Sequence, residues 1–313
     1  MRWRVVFMGT AEIACPTLRA LAAMPELELT GVYTQPDRPR GRGQTLQFSP
    51  VKQLAIELGL PVFQSAELRS DVEYEALKVL SPDVLVVMAY GQILTQRFLE
   101  LPPLGAVNLH ASLLPRHRGA SPIQHAILDG DAETGVTLME MEVTLDSGPM
   151  IAKAAIPLSE RDTGETVHDR LAVLASDLAR NKLPDYLRGN LKGVPQCDDF
   201  ATYTGKISKQ NGQINWRENA EMIERRIRAY TPWPGTYTHL PVKQQSRLKI
   251  LSATVSDGEG LPGQALSRSD DQIEIATGEG SLILERVQRE GSRPATGRDF
   301  LNGFPLSAAT FLS

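Results

Sequence analysis

Residues 83–89 read Asp-Val-Leu-Val-Val-Met-Ala, an apolar run with no polar alternation. A strand with water on one side alternates polar and apolar residues. An unbroken run is a strand buried on both faces, the form found where helices cover a parallel sheet. Upstream, residues 4–8 (RVVFM) have the same form and end at Gly9. Pro16 then suits the first turn of a helix carrying Leu18, Leu21 and Ala22 at helical spacing. Residues 29–34 read as a second strand. Ser49-Pro50 opens a helix with Val51, Leu54, Ala55 and Leu58 on one face, and Gly59 stops it. Residues 61–63 form a brief strand, 71–80 a helix and 106–110 another buried strand. This βαβα order predicts an α/β fold over residues 1–189, a Rossmann-like, mostly parallel sheet with helices on both faces.

Beyond residue 133 the pattern changes. Residues 134–141 and 150–156 read as an antiparallel pair around the loop Leu145-Asp146-Ser147-Gly148. Residues 163–187 form a long amphipathic helix with Thr163 as cap. A polar stretch at 190–209 carries the Gly and Pro of an interdomain linker. Residues 218–230 are helical. Short β-branched runs at 236–240, 248–255, 272–276 and 282–287 then predict a small antiparallel β-barrel, OB-like, over 210–313.

The chain has 313 residues and a net charge of −4, so the whole molecule does not advertise nucleic-acid binding. The charge is uneven: residues 205–313 hold 14 Lys and Arg against 12 Asp and Glu, and residues 1–204 are acidic. Two cysteines, Cys15 and Cys197, form no CxxC pair and read as reduced thiols of a cytoplasmic protein. No apolar run approaches the roughly 18 residues of a membrane span, and the start has no secretory apolar region. Secreted, membrane and metal-stapled classes are thereby disfavoured.

The turn after the first strand, GTAEIA, has one glycine where a dinucleotide fingerprint needs several, and there is no P-loop. The informative segment is Asn108-Leu-His-Ala-Ser-Leu-Leu-Pro-Arg-His-Arg-Gly-Ala-Ser-Pro122. Ligands of open parallel sheets sit at the carboxyl ends of strands, and alternation puts Asn108 and His110 on one side. An amide donor beside a proton-moving imidazole suits acyl chemistry. Asp146, on a loop, can orient that imidazole and hold its charge. Each of these residues alone also fits a structural role; their combination favours the functional one. Arg38, Arg40 and Arg42 sit on a Pro/Gly frame (DRPRGRGQ, 37–44) that reads as neither helix nor strand. They suit a solvated loop or phosphate contacts.

The segments NLHASLLPRHRGASPI and GDAETGVTLMEMEVTLDSG resemble the signature of formyltransferases that use 10-formyltetrahydrofolate. Elsewhere in the chain, QPDRPRGRG (35–43), AYGQIL (89–94) and RAYTPWPG (228–235) are similar to the branch of that family acting on charged initiator tRNA. The first loop, GTAEIACP, departs slightly, with Ala11 following Thr10 where a proline is usual, and the C-terminal tail is only loosely similar. The resemblance implies catalysis by Asn108, His110 and Asp146. It implies a folate site bordered by Ser112, Leu113, Leu114 and Pro115, with the backbone near Tyr90-Gly91 and the loop bearing Val143 cradling the pterin. It also implies initiator methionyl-tRNA as acceptor, entered by Arg38, Arg40 and Arg42, for translation initiation in the cytoplasm by a monomer without metal or membrane partner. An amino sugar nucleotide is the alternative acceptor. A glycinamide ribonucleotide would leave residues 205–313 without a purpose, and a non-catalytic tRNA-binding module would leave the trio without one.

Overall fold

The computed structural model describes residues 2–40, 45–241, 246–266, 272–307 and 309–313. The chain divides into two compact units. One comprises Met1–Pro122, Glu133–Pro157 and His168–Thr204; the other comprises Ile123–Ala132, Leu158–Val167 and Gly205–Ser313.

In the first unit the strands are β1 (Trp3–Gly9), β2 (Leu27–Thr34), β3 (Arg38–Arg40), β4 (Thr45–Gln47), β5 (Val62–Gln64) and β6 (Val84–Met88). They continue with β7 (Ala106–His110), β8 (Arg118–Gly119), β9 (Glu133–Glu140), β10 (Met150–Pro157) and β11 (Tyr203–Thr204). Seven form one sheet in the order β10-β9-β7-β6-β1-β2-β5. Strands β7, β6, β1, β2 and β5 are parallel, while β9 runs against β7 and β10 against β9. Every residue of β6 is buried, as the unbroken apolar run requires. Burying one such side chain stabilises by about 1.5–3 kcal/mol. Local chemistry sets the helix starts: Ser49 accepts the Lys52 amide at 3.0 Å ahead of Pro50–Glu57, and Ser70 accepts the Glu73 amide at 3.2 Å ahead of Asp71–Val79. The chain winds outward from β1 to β5, then crosses back to β6 and β7. The crevice at the carboxyl ends of β1 and β6 is the place where such sheets bind ligands.

Two segments differ from the sequence reading. Arg38–Arg40 and Thr45–Gln47 pair as an antiparallel ribbon, so the Pro/Gly frame does carry strand at its base. Pro39 is tolerated because a two-stranded ribbon leaves each strand an edge. In the segment read as linker, Val194 bridges Met150 and β11 lies parallel to β8, which ties residues 194–204 to the first unit.

The second unit has β12 (Thr236–Leu240), β13 (Ser246–Ser256), β14 (Ala265–Leu266), β15 (Ile273–Ala276), β16 (Ser281–Arg289) and β17 (Ala295–Thr296). They form an antiparallel sheet, β12-β13-β16-β15-β14 with β17 beside β16, that curls into a half-barrel. Its core includes Trp216, Ile223, Ile227, Leu248, Ile275, Leu284 and Phe300. The helix Ala220–Ala229 starts where Asn219 accepts the Met222 amide at 2.8 Å. Arg225, Arg226 and Arg228 on it pair with Glu221, Glu218 and Glu224 at 3.5, 2.6 and 2.6 Å. These guanidinium groups are therefore tied to carboxylates of their own unit. Among the described residues no helix is long and apolar enough to cross a membrane.

Candidate active site

His110 is the last residue of β7, where the parallel strands open into loops. The residue is 6% exposed, and among the described residues two polar groups face its ring nitrogens. Nε2 lies 2.9 Å from the carbonyl oxygen of His117, and Nδ1 lies 3.6 Å from Oδ2 of Asp146. A carbonyl only accepts, so the ring donates through Nε2 when that bond is made. The Asp146 distance exceeds a hydrogen bond and leaves an ion-pair contact. The same Oδ2 accepts the Gly119 amide at 2.8 Å, which anchors the carboxylate independently of the ring.

Asn108 lies two residues earlier on the same side of β7, in register with Val87 of β6 and Met139 of β9. It is partly buried, and its carboxamide makes no hydrogen bond among the described residues. An amide held in a strand with its donors unspent can bind an oxygen that gains charge.

Backbone strain clusters around these groups. Ala89, His117 and Asp146 have φ of 47°, 59° and 51°, and Ser81 is the one further non-glycine residue of this kind among those described. Left-handed backbone costs a residue with a Cβ, and persists where surrounding contacts over-determine it. Here the contacts are visible. The Thr10 amide donates to Ala89 O at 3.1 Å, and the His117 amide to Thr202 Oγ1 at 2.8 Å. Gly148 closes the loop after Asp146 so tightly against the Glu140 carbonyl that a Cβ would not fit.

The other sequence-derived residues fall in three places. Tyr90 is buried, and its carbonyl accepts from Thr10 Oγ1 at 2.8 Å and Gln35 Nε2 at 3.3 Å. Gly91 has φ of 82°, and its carbonyl accepts from Gln35 Nε2 at 2.8 Å. Ser112 and Leu114 are fully buried, whereas Leu113 and Pro115 are partly exposed, so the latter pair offers side-chain surface. The turn is stapled from below: Thr137 Oγ1 donates to Ser112 O at 2.7 Å, and Lys153 donates to Leu114 O. Val143 is 55% exposed on the loop that leads to Asp146. Arg38 donates from Nη2 to Gln35 Oε1 at 2.8 Å; Arg40 is in β3, and Arg42 lies outside the described residues.

Sequence reasoning did not single out Gln35, Arg118, Thr137, Lys153 or Gln196. Arg118 is 1% exposed despite its charge. It sits in the quoted PRHRG motif, but nothing in the sequence marks its partners, which are 78 to 85 residues away.

Residues 3–181 match the formyl transferase family and residues 206–305 its C-terminal domain. The two matches together cover most of the chain, which belongs to the formyl transferase family. Among its relatives, the methionyl-tRNA formyltransferase of Pseudomonas syringae pv. tomato is 46% identical over 96% of this chain and 94% of its own. That of Trichlorobacter lovleyi is 42% identical over 99% of this chain and 97% of its own. The fold is also similar to that of an N-formyltransferase from Helicobacter canadensis, solved with folinic acid and dTDP-3-aminofucose. The TM-score is 0.65 at 18% identity, covering 91% of this chain and 99% of that one.

Proposed function

We propose that this chain transfers the formyl group of 10-formyltetrahydrofolate to the α-amino group of methionyl initiator tRNA. The observation that carries the reading is identity of 46% across both units to a methionyl-tRNA formyltransferase, at a level where the 18% likeness to a sugar-modifying enzyme indicates fold alone.

The amine nitrogen attacks the formyl carbon. A C–N bond forms as the carbonyl π pair moves onto oxygen. The pair returns as the bond from carbon to N10 breaks, and the proton lost by the amine ends on N10. Asn108 donates to the oxygen while it carries the extra pair. His110 takes the proton from the amine and delivers it towards N10. Asp146 holds the imidazole and balances its charge when it is protonated. Leu113 and Pro115 border the folate, Ser112 and Leu114 supply backbone there, and Tyr90-Gly91 and Val143 face the pterin. Their main-chain polar groups and apolar side chains fit a flat ring bearing hydrogen-bonding edges. Arg38, Arg40 and Arg42 meet the acceptor end of the tRNA, with fork-like donors matched to phosphate.

The test is a radiolabelled formyl-transfer assay with charged initiator tRNA, charged elongator tRNA and an amino sugar nucleotide side by side. Formyl-methionyl initiator tRNA is the expected product. Label on the sugar with none on tRNA overturns the reading.

A further inference from the structure

One side chain that the catalytic account leaves unused is hydrogen bonded at every site it has. Gln196 Nε2 donates to the carbonyl oxygens of Asp146 and Gly148, both at 2.8 Å. Gln196 Oε1 accepts from Arg118 Nε at 3.1 Å and Nη2 at 2.9 Å. A carboxamide has two donors and two acceptor sites, and all four are spent. Its orientation is fixed by chemistry: carbonyls only accept, and a guanidinium only donates, so the reversed amide would set like against like on both sides. Arg118 is held in turn by Asp198 Oδ1 at 2.8 Å and by Tyr203 Oη at 3.0 Å. The residue after Arg118, Gly119, is the one whose amide binds the Asp146 carboxylate.

Asp146 is therefore gripped at two points. Its carboxylate is held by the Gly119 amide, and its carbonyl, on a left-handed backbone, by Gln196. One amide nitrogen joins residues 146 and 148 across the sharp turn and stops the loop relaxing to an ordinary backbone angle. We infer that Gln196 is a positioning residue for the transfer reaction, acting through Asp146, and that the buried Arg118 sets its orientation. The inference rests on the functional reading above for its effect on rate, though not for its effect on the loop. The segment that carries Gln196 thus builds the site as well as leading away from the first unit.

The experiment uses the full chain with Gln196→Glu and Gln196→Met. In Gln196→Glu the Arg118 contact survives while an oxygen faces both carbonyls; in Gln196→Met no polar atom remains and the volume is kept. Two quantities are measured: amide hydrogen exchange of residues 141–148, and steady-state formyl transfer. The expected result is at least tenfold faster exchange in that loop, with the rest of the sheet unchanged. The kcat falls at least tenfold, and KM for the folate donor stays within about threefold. Combined with Asp146→Asn, either variant is no slower than Asp146→Asn alone, because residues acting as a unit lose their effect once. Unchanged exchange in both variants overturns the inference. So do a loss confined to KM and losses that multiply in the double variant. If the wild-type chain transfers no formyl group to methionyl-tRNA, the functional reading fails, and the exchange comparison still decides whether Gln196 holds the loop.

Discussion

Asp146 presents one carboxylate oxygen both to His110, with Nδ1 at 3.6 Å, and to the Gly119 amide, at 2.8 Å. Under the proposed function, the amide keeps the carboxylate in place through each proton transfer, so the pair need not reorganise. Replacing Asp146 by Asn preserves an oxygen for the Gly119 amide and removes only the charge. The expected outcome is a fall in kcat of roughly 10²–10⁴-fold. The melting temperature changes by no more than about 4 °C. Rate and thermal unfolding measured on one preparation check both halves, and a kcat within threefold of wild type would remove Asp146 from the mechanism.

Among the described residues Asn108 has no side-chain hydrogen-bond partner to lose. Its replacement by Ala leaves the β7 register intact and, under the proposed function, removes the group that meets the developing oxyanion. Loss of one such donor costs about 10²–10³ in kcat. Binding of the folate donor, read by fluorescence titration, stays near the wild-type value because the loss falls on the transition state. Equal losses in affinity and rate would assign Asn108 to binding instead.

How far the sequence reached depends on the range of the interaction. The unbroken apolar run of β6 and the caps Ser49 and Thr163 are local signals, and the elements they define are present, with the Thr166 amide donating to Thr163 Oγ1 at 3.2 Å. Asn108 and His110 were legible because they share one strand at a spacing of two. Whether Asp146 meets His110 was not legible, since the contact depends on a left-handed turn at a non-glycine residue. Gln196 was hidden for the same reason. It looks like any polar residue of a connector until the return of β11 alongside β8 places it under the loop. Arg225, Arg226 and Arg228 stand close together in the sequence, and only the fold shows that each has a carboxylate partner.

At the base of the β3–β4 ribbon, Asp37 accepts from Lys52 Nζ at 2.6 Å and from Gln64 Nε2 at 2.9 Å. The Lys52 hydrogen bond, then that of Gln64, hold the Asp37 carboxyl below the usual carboxylate range. A carboxyl whose folded value is depressed stabilises the fold above its unfolded value. That contribution is lost as pH falls through the folded value. Lys52→Met should therefore move the Asp37 titration upward towards the ordinary 3.8. A carboxyl-carbon NMR titration reads this directly, and an unmoved midpoint would show that Lys52 does not set it.

Arg38 links the ribbon to Tyr90 and Gly91 through Gln35, whose other amide end donates to both their carbonyls. Under the proposed function, Arg38→Ala and Arg42→Ala weaken productive use of tRNA and leave folate affinity within about twofold. Each phosphate contact removed reduces the slope of log affinity against log salt by about 1. Filter binding at several salt concentrations measures the slope. Equal loss of tRNA and folate binding in Arg42→Ala would indicate misfolding rather than a lost contact.

The two thiols differ in exposure and so in reactivity. Burial, with Glu12 adding to it, pushes the Cys15 thiol up to about 11, and the side chain is only partly accessible. Thiolate is the reactive form, so Cys15 is nearly inert at pH 8. Cys197 is exposed and adjoins Gln196 in sequence. A maleimide at pH 8 should label Cys197 first, by at least tenfold in rate, with Cys15 following only on unfolding. Peptide mapping after timed quenching separates the two. Because the label lands one residue from the side chain that holds Asp146, formyl transfer should fall in step with Cys197 modification, and Cys197→Ser should abolish that loss while retaining activity. Activity that survives full labelling of Cys197 would show that this stretch of chain tolerates displacement without disturbing the catalytic loop.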